Sequence, residues 1–216
     1  VGQSGVDKSQ LAMQLCVLAA ADKGFGTIYI DTETNLRFLP RLHQIAQSRS
    51  PSNAQEVIEN VILYNPSSTQ ELMTILNTRL EEDIIRQNSS MFPIRLIIID
   101  SIAAPLLCER NAPQRSKIIF EMSQLLKRIA DEWNLAVVVT NQIVSTNNVT
   151  VNSALGTSWY HCVTTRLLLQ QQQVSVPMEG EASSHFSRIA KIQKSNIAGL
   201  KSVHFQITQI GICEIV

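Results

Sequence analysis

An octapeptide near the start of the chain, Gly2-Gln3-Ser4-Gly5-Val6-Asp7-Lys8-Ser9, fits the spacing GxxxxGK[ST] at every defined position except one. A loop of this kind turns successive backbone N–H groups toward phosphate oxygens. The lysine then reaches the β- and γ-phosphates, the hydroxyl holds magnesium, and the helix that follows offers its positive end. Lys8, Ser9 and Gln10 stand where such a site needs them. The exception is Asp7, where the pattern has glycine. Glycine permits close approach of backbone to phosphate and unusual dihedral angles. Aspartate tolerates positive φ better than most residues, so the loop can still form. Its carboxylate then either sits near a bound polyphosphate, a repulsion on the order of a kcal/mol or more, or turns outward and caps the helix start. On the first alternative nucleotide binding is impaired, and Asp7→Gly is expected to tighten ATP binding.

Three further positions could complete the site. Asp100 closes the run Arg95-Leu96-Ile97-Ile98-Ile99-Asp100, where a carboxylate can orient magnesium through water. Glu33 follows Thr27-Ile28-Tyr29-Ile30-Asp31 and could activate a water as general base. Gln142 ends Val137-Val138-Val139-Thr140-Asn141-Gln142, an amide suited to sensing a γ-phosphate. A polar residue at a strand end is common by itself. The occurrence of all three, in order and at parallel-strand spacing, is what points to a phosphate site.

The elements that must position these groups follow from the hydrophobic pattern. Residues 9–21 are helix formers without Gly or Pro. Leu36–Gln47 and about Ser68–Arg86 read as helices, with Ser48–Asn53 a polar connector. Residues 116–133 carry apolar side chains at helical spacing. Runs apolar on both faces at 27–31, 61–64, 95–100 and 135–139 read as buried parallel strands. Beyond them the pattern changes to strands without intervening helices, at 164–170, 187–193, 202–208 and 211–215. The Gln170–Gln173 tract and the polar stretch to Ser184 look like a hairpin loop. The expected architecture is therefore α/β: a mostly parallel central sheet flanked by helices, with an antiparallel C-terminal extension.

Composition sets outer bounds. The chain has 216 residues, 44% hydrophobic but only 5% aromatic, which suits one domain with an aliphatic core. Formal net charge is zero, which argues against coating by nucleic acid through bulk electrostatics but leaves room for a local basic groove. Cys16, Cys108, Cys162 and Cys213 are scattered without a CxxC pair and read as reduced thiols rather than metal ligands or disulfides. No apolar run approaches membrane-spanning length. A phosphate loop normally follows a strand, so a first strand is expected to lie outside this sequence.

The segments IDTE, LIIIDSIAAP, VVVTNQ, ALGTSWYHCVTTRLLL and RIAKIQKS, in this order, resemble the core of eukaryotic and archaeal RecA-like recombinases. ALGTSW and the KS of RIAKIQKS resemble their recombination paralogues more than the strand-exchange enzyme. The resemblance covers nearly the whole chain and implies a RecA-like P-loop ATPase core. It implies that Gly2–Gln10 bind ATP, that Ser9 and Asp100 hold Mg2+, and that Glu33 and Gln142 serve hydrolysis and its coupling to DNA. It places Arg110, Arg115 and Lys117 in a first DNA-binding loop (Leu106–Lys117) and Lys194 where a neighbouring subunit's nucleotide is covered. The implied setting is DNA repair by homologous recombination in the nucleus. The implied partners are a recombinase filament, another paralogue or small accessory subunit, and single-stranded DNA. The departures bear on activity. Thr34 replaces the glycine that commonly follows the catalytic glutamate, and the second DNA loop, Val144–Ser153, contains no Lys or Arg. The family's helical N-terminal domain and its polymerisation linker are not in this sequence. These departures favour a mediator with slow or negligible hydrolysis over an active strand-exchange ATPase or a scaffold with a vestigial site. Trp159, Tyr160 and His161 could meet bases or phosphate, or simply pack.

Overall fold

The computed structural model describes residues 1–216 apart from 35, 36, 108, 110, 147–149, 176–183 and 216. Two adjacent sheets organise it. The first is parallel, with strands β1 (Gly26–Asp31), β2 (Val61–Tyr64), β3 (Ile94–Asp100) and β4 (Ala136–Val139) in the order β2-β1-β3-β4. The register sets Ile30 beside Ile99 and Ile99 beside Val139, so β1, β3 and β4 end close together.

The two-faced apolar runs have a direct cause in packing. Ile28, Ile30, Ile97 and Ile99 join one buried cluster with Leu72, Leu76, Leu80, Met122 and Leu126. Tyr29, Leu96 and Ile98 point to the opposite cluster with Met13, Cys16, Val17, Leu42 and Ile45. Successive strand residues alternate faces, and both faces are covered by helices.

Helix α1 (Lys8–Lys23) follows the loop and stops at Gly24, whose φ of 64° lets its N–H and that of Phe25 bond back to Ala20 and Ala19. Helix α2 (Phe38–Arg49) packs beside it. A short helix α3 (Ala54–Glu59) follows the connector; at six residues it is too brief to show a helical period in sequence. The helix expected to Arg86 runs to Asn88 and is not uniform: α4 (Thr69–Thr74) passes through a π turn (Ile75–Arg79) into α5 (Leu80–Asn88). Its start is fixed by Ser68, which accepts from the Glu71 N–H, while Glu71 accepts from the Ser67 N–H.

Three expectations change beyond β3. The segment Leu106–Lys117 is not one loop: α6 (Ala103–Leu107) ends inside it, and α7 (Ala112–Glu132) begins at Asn111, whose side chain accepts from the Gln114 N–H. Val144–Ser153 carries the antiparallel pair β5 (Ile143–Thr146) and β6 (Thr150–Ser153). The late strands are preceded by a helix, α8 (Gly156–Cys162), so Trp159, Tyr160 and His161 are helical, with Trp159 buried.

The second sheet is antiparallel, in the order β10-β9-β8-β7, from β7 (Arg166–Ser175), β8 (Ser184–Lys194), β9 (Ser202–Thr208) and β10 (Gly211–Glu214). Gln170–Gln173 belong to β7 rather than to a hairpin loop, because the β8 backbone pairs with all of them. Residues 176–183 lie outside the described residues, as does Cys108. Cys16 and Cys162 are buried and Cys213 is partly buried, none of the three in a disulfide. Among the described residues no helix is long and apolar enough to cross a membrane.

Candidate functional site

The loop 2–9 lies at the carboxyl edge of the parallel sheet, where a strand-end site is expected. The Gly2 N–H donates to the Asn141 carbonyl at 3.3 Å, and the Ile143 N–H donates to the Gly2 carbonyl at 3.0 Å. On the other flank Leu169 of β7 donates to the Val1 carbonyl at 2.8 Å. Gly2 has no room for a side chain: a Cβ would lie 2.4 Å from Val6 Cγ2 and 2.7 Å from the Leu169 carbonyl oxygen. Gly2→Ala is expected to cost about 1–3 kcal/mol through overpacking, read as a fall of several degrees in unfolding temperature. An unchanged transition would mean that the loop is not seated there.

Gly5 (φ 77°) and Asp7 (φ 63°) both adopt left-handed backbone. The aspartate thus takes the conformation that the glycine of the pattern would supply, at about 1–2 kcal/mol of local strain. Its carbonyl accepts from the N–H groups of Gln10 and Leu11, opening α1. The outward-capping alternative fails, since the Asp7 side chain makes no cap hydrogen bond. Its Oδ2 instead accepts from Arg188 Nε of β8 at 2.8 Å. Thr34 is also left-handed (φ 51°), a strained conformation for a β-branched residue that glycine would relieve.

Lys8 folds over the loop. Its Nζ donates to the carbonyls of Gly2 (3.2 Å) and Gln3 (2.9 Å). Burial lowers the Lys8 pKa, and the carboxylates of Asp100, Glu33 and Asp7 pull it back up. The ammonium therefore sits within the field of the three acidic groups singled out in sequence.

Asp100 is buried at 8% exposure and locked on both oxygens. Oδ2 accepts from the Tyr29 hydroxyl at 2.7 Å, and Oδ1 accepts from the Thr140 hydroxyl. Burial, and then the Asp100 charge, push the Tyr29 pKa well up, so Tyr29 remains a donor. A carboxylate has about four lone-pair sites, and two hydroxyls leave it able to face a hydrated cation. Beside it, Thr32 Oγ1 donates to the Ser101 carbonyl (2.6 Å) and accepts from the Ser101 N–H (3.0 Å), tying the end of β1 to the end of β3.

This tie delivers Glu33. Its Oε1 accepts from Ser101 Oγ at 2.7 Å and from Gln142 Nε2 at 3.1 Å. The Glu33 N–H donates to Asp31 Oδ1 at 3.0 Å, which fixes the turn. Three strand ends thus meet on one carboxylate oxygen, and Oε2 carries neither contact. The donor set suits magnesium with a polyphosphate: a hydroxyl at Ser9, a buried carboxylate at Asp100, and one half-buried ammonium. Gln10 is held at the edge by Arg41, whose Nε donates to its Oε1 at 2.7 Å and whose Nη2 donates to the Thr208 carbonyl at 2.7 Å.

The structure therefore seats Gly2 beside Gln142, brings Lys8 into the field of Glu33 and Asp100, and joins Glu33 to Gln142, with Ser9 and Gln10 following Lys8 in the first turn of α1. Sequence reading missed Tyr29, Thr32, Ser101, Thr140, Arg41 and Arg188 as their supports. A hydroxyl after each strand-end carboxylate (Thr32 after Asp31, Ser101 after Asp100) is the signal that was available. The remaining candidates lie elsewhere. Arg115 donates to the Glu109 carbonyl and Lys117 pairs with Glu121 at 3.8 Å, both early in α7. Arg110 lies outside the described residues. Lys194 donates to the carbonyls of Tyr160 (3.1 Å) and Val163 (2.7 Å) and stands 5.2 Å from the Tyr160 ring centroid.

The Rad51 family model matches residues 1–215. The chain belongs to the Rad51 family. It is 27% identical over 261 aligned residues to "DNA repair protein XRCC3 homolog" of Arabidopsis thaliana, covering 100% of this chain and 85% of that protein. It is 30% identical over 211 residues to "DNA repair protein RAD51 homolog 2" of Mus musculus, covering 78% of this chain and 58% of that protein. It is 34% identical over 145 residues to "DNA repair and recombination protein RadB" of Methanosphaera stadtmanae, covering 67% of this chain and 58% of that protein. The Rad51-family chain thus spans most of the first relative and less than two thirds of the other two. The resemblance to recombinase paralogues is borne out, and with it the RecA-like fold and a setting in recombination and repair.

Proposed function

We propose that this chain is a recombination mediator: a paralogue that binds partner subunits and stabilises or caps a recombinase filament on single-stranded DNA. On this reading it works in the nucleus, with another paralogue or a small accessory subunit as partner. One contrast carries the reading. The groups for a phosphate site are assembled (Lys8, Asp100, and Glu33 with Gln142), whereas Val144–Ser153, the segment a strand-exchange enzyme uses on DNA, contains no Lys or Arg.

Gly2–Gln10 would hold ATP, and Ser9 with Asp100 would hold Mg2+. The bound cation and nucleotide would supply charge neutralisation and a subunit-interface ligand. Glu33 would hold an attacking water on Oε2, and its hydrogen bond from Gln142 would pass the state of the site to β5. Arg110, Arg115 and Lys117 are the basic residues proposed to reach DNA, and Lys194 the residue proposed to reach a neighbour's nucleotide. An active strand-exchange ATPase is the second reading, favoured by the intact contact between Glu33 and Gln142.

The test is the chain with its partner, assayed for ATP binding, DNA-stimulated hydrolysis and strand exchange. Binding with slow turnover and no exchange is expected. Robust turnover with exchange would establish the enzyme instead, and no binding would leave a scaffold. Glu33→Gln is expected to lower the residual turnover by about 100-fold or more while ATP still binds. Equal turnover in both forms would remove Glu33 as the base.

A further inference from the structure

The glycine position of the phosphate loop carries a carboxylate, and the structure gives that carboxylate a cationic partner 181 residues away, in the other sheet. Arg188 lies in β8, in register with Gln171 of β7 and Phe205 of β9, so backbone pairing on both sides fixes where its side chain starts. The Nε–Oδ2 distance is 2.8 Å, and the two side chains are 26% and 27% exposed. A pair this sheltered is screened less than one at the open surface. The backbone of Asp7 is committed separately, since its carbonyl opens α1 and its φ is left-handed. The side chain therefore cannot leave without leaving Arg188.

We propose that Arg188 is a positioning residue for the phosphate loop, neutralising and retaining the Asp7 carboxylate so that the loop accepts a nucleotide polyphosphate despite lacking its glycine. The inference rests on the nucleotide reading above. Its physical content is that Asp7 and Arg188 act as a unit. With Arg188 removed, a bare carboxylate remains next to Lys8, where it competes with phosphate for the ammonium and repels the polyphosphate. With both removed, the loop regains the ordinary glycine and needs no arginine. The sequence alone pointed to Asp7 as a defect; the pair makes it a compensated substitution.

The experiment is a titration of the full chain with a fluorescent ATP analogue and magnesium, in four forms: wild type, Asp7→Gly, Arg188→Gln and the double variant. Arg188→Gln is expected to weaken binding by about tenfold, while the same change on the Asp7→Gly background has no effect. Arg188→Lys is expected to recover part of the loss, since it keeps the charge but not the Nε contact. A merely structural ion pair would lower the unfolding temperature without this pattern, because Asp7→Gly would not rescue binding. Wild-type affinity in Arg188→Gln, or an equal loss on both backgrounds, overturns the proposal and leaves the nucleotide reading intact. Binding by Asp7→Gly but not by wild type overturns it too, since the arginine would then fail to compensate. Binding by neither form overturns the nucleotide reading and the proposal together.

Discussion

Replacing Lys8 with alanine is expected to weaken ATP binding by about two orders of magnitude while the fold survives. The ammonium makes two hydrogen bonds in the loop, both to backbone carbonyls. A charged hydrogen bond contributes about 1.5–3 kcal/mol, and each 1.4 kcal/mol is tenfold in affinity. Two such bonds transferred to phosphate oxygens account for the expected loss. The fold survives because Lys8 is not a core residue, and the helix it begins is anchored by Ala12, Met13, Cys16 and Val17. Isothermal titration with ATP and magnesium, beside a thermal melt, checks both halves. Unchanged affinity would remove the loop from nucleotide binding; a collapsed melt would make Lys8 structural.

Asp100 should behave differently, because it serves the core and the site at once. Asp100→Ala leaves the hydroxyls of Tyr29 and Thr140, both on buried residues, without their acceptor. An orphaned buried polar group costs about 1–3 kcal/mol, so the pair should lower stability by about 2–6 kcal/mol, before any loss of cation binding. Asp100→Asn keeps an oxygen for one hydroxyl and an amide for the other, so most of the stability is expected to return. The charge does not return with it. Magnesium-dependent tightening of ATP binding is then expected to vanish in the asparagine form although the protein melts near the wild-type temperature. If both variants melt alike, the hydroxyl contacts are not what holds this strand end. If Asp100→Asn keeps its magnesium dependence, the cation is held elsewhere.

The legible part of this molecule is the part whose physics is periodic or local. A parallel strand covered on both faces must be apolar at every position, so β1 and β3 stand out as uninterrupted runs and their last residues as strand ends. Glu33, Asp100 and Gln142 could be named for that reason. Their supports could not, because they depend on register. Tyr29 reaches Asp100 only because β1 and β3 pair in parallel with Asp31 opposite Asp100. Thr140 reaches it only because β4 lies on the other side of β3. Arg188 is further still from sequence logic, since its partner lies at the opposite end of the chain. Elements were missed where the chain is short or polar. Helices α3 and α8, of six and seven residues, have under two turns in which to display a stripe. The glutamines of β7 are held by backbone pairing that no side-chain pattern announces. The π turn within α4–α5 leaves no sign in an otherwise helical composition.

Gly2 has one consequence for how force moves through the protein. It bonds to Asn141, just past β4, and to Ile143, the first residue of β5, and forms a parallel bridge to Leu169 of β7 on its other side. With backbone and Val6 crowding the position its side chain would take, the junction has almost no slack. The first residue of the phosphate loop is thus a rivet between the two sheets. A load that shears one sheet against the other crosses the loop, and a ligand that stiffens the loop stiffens the seam.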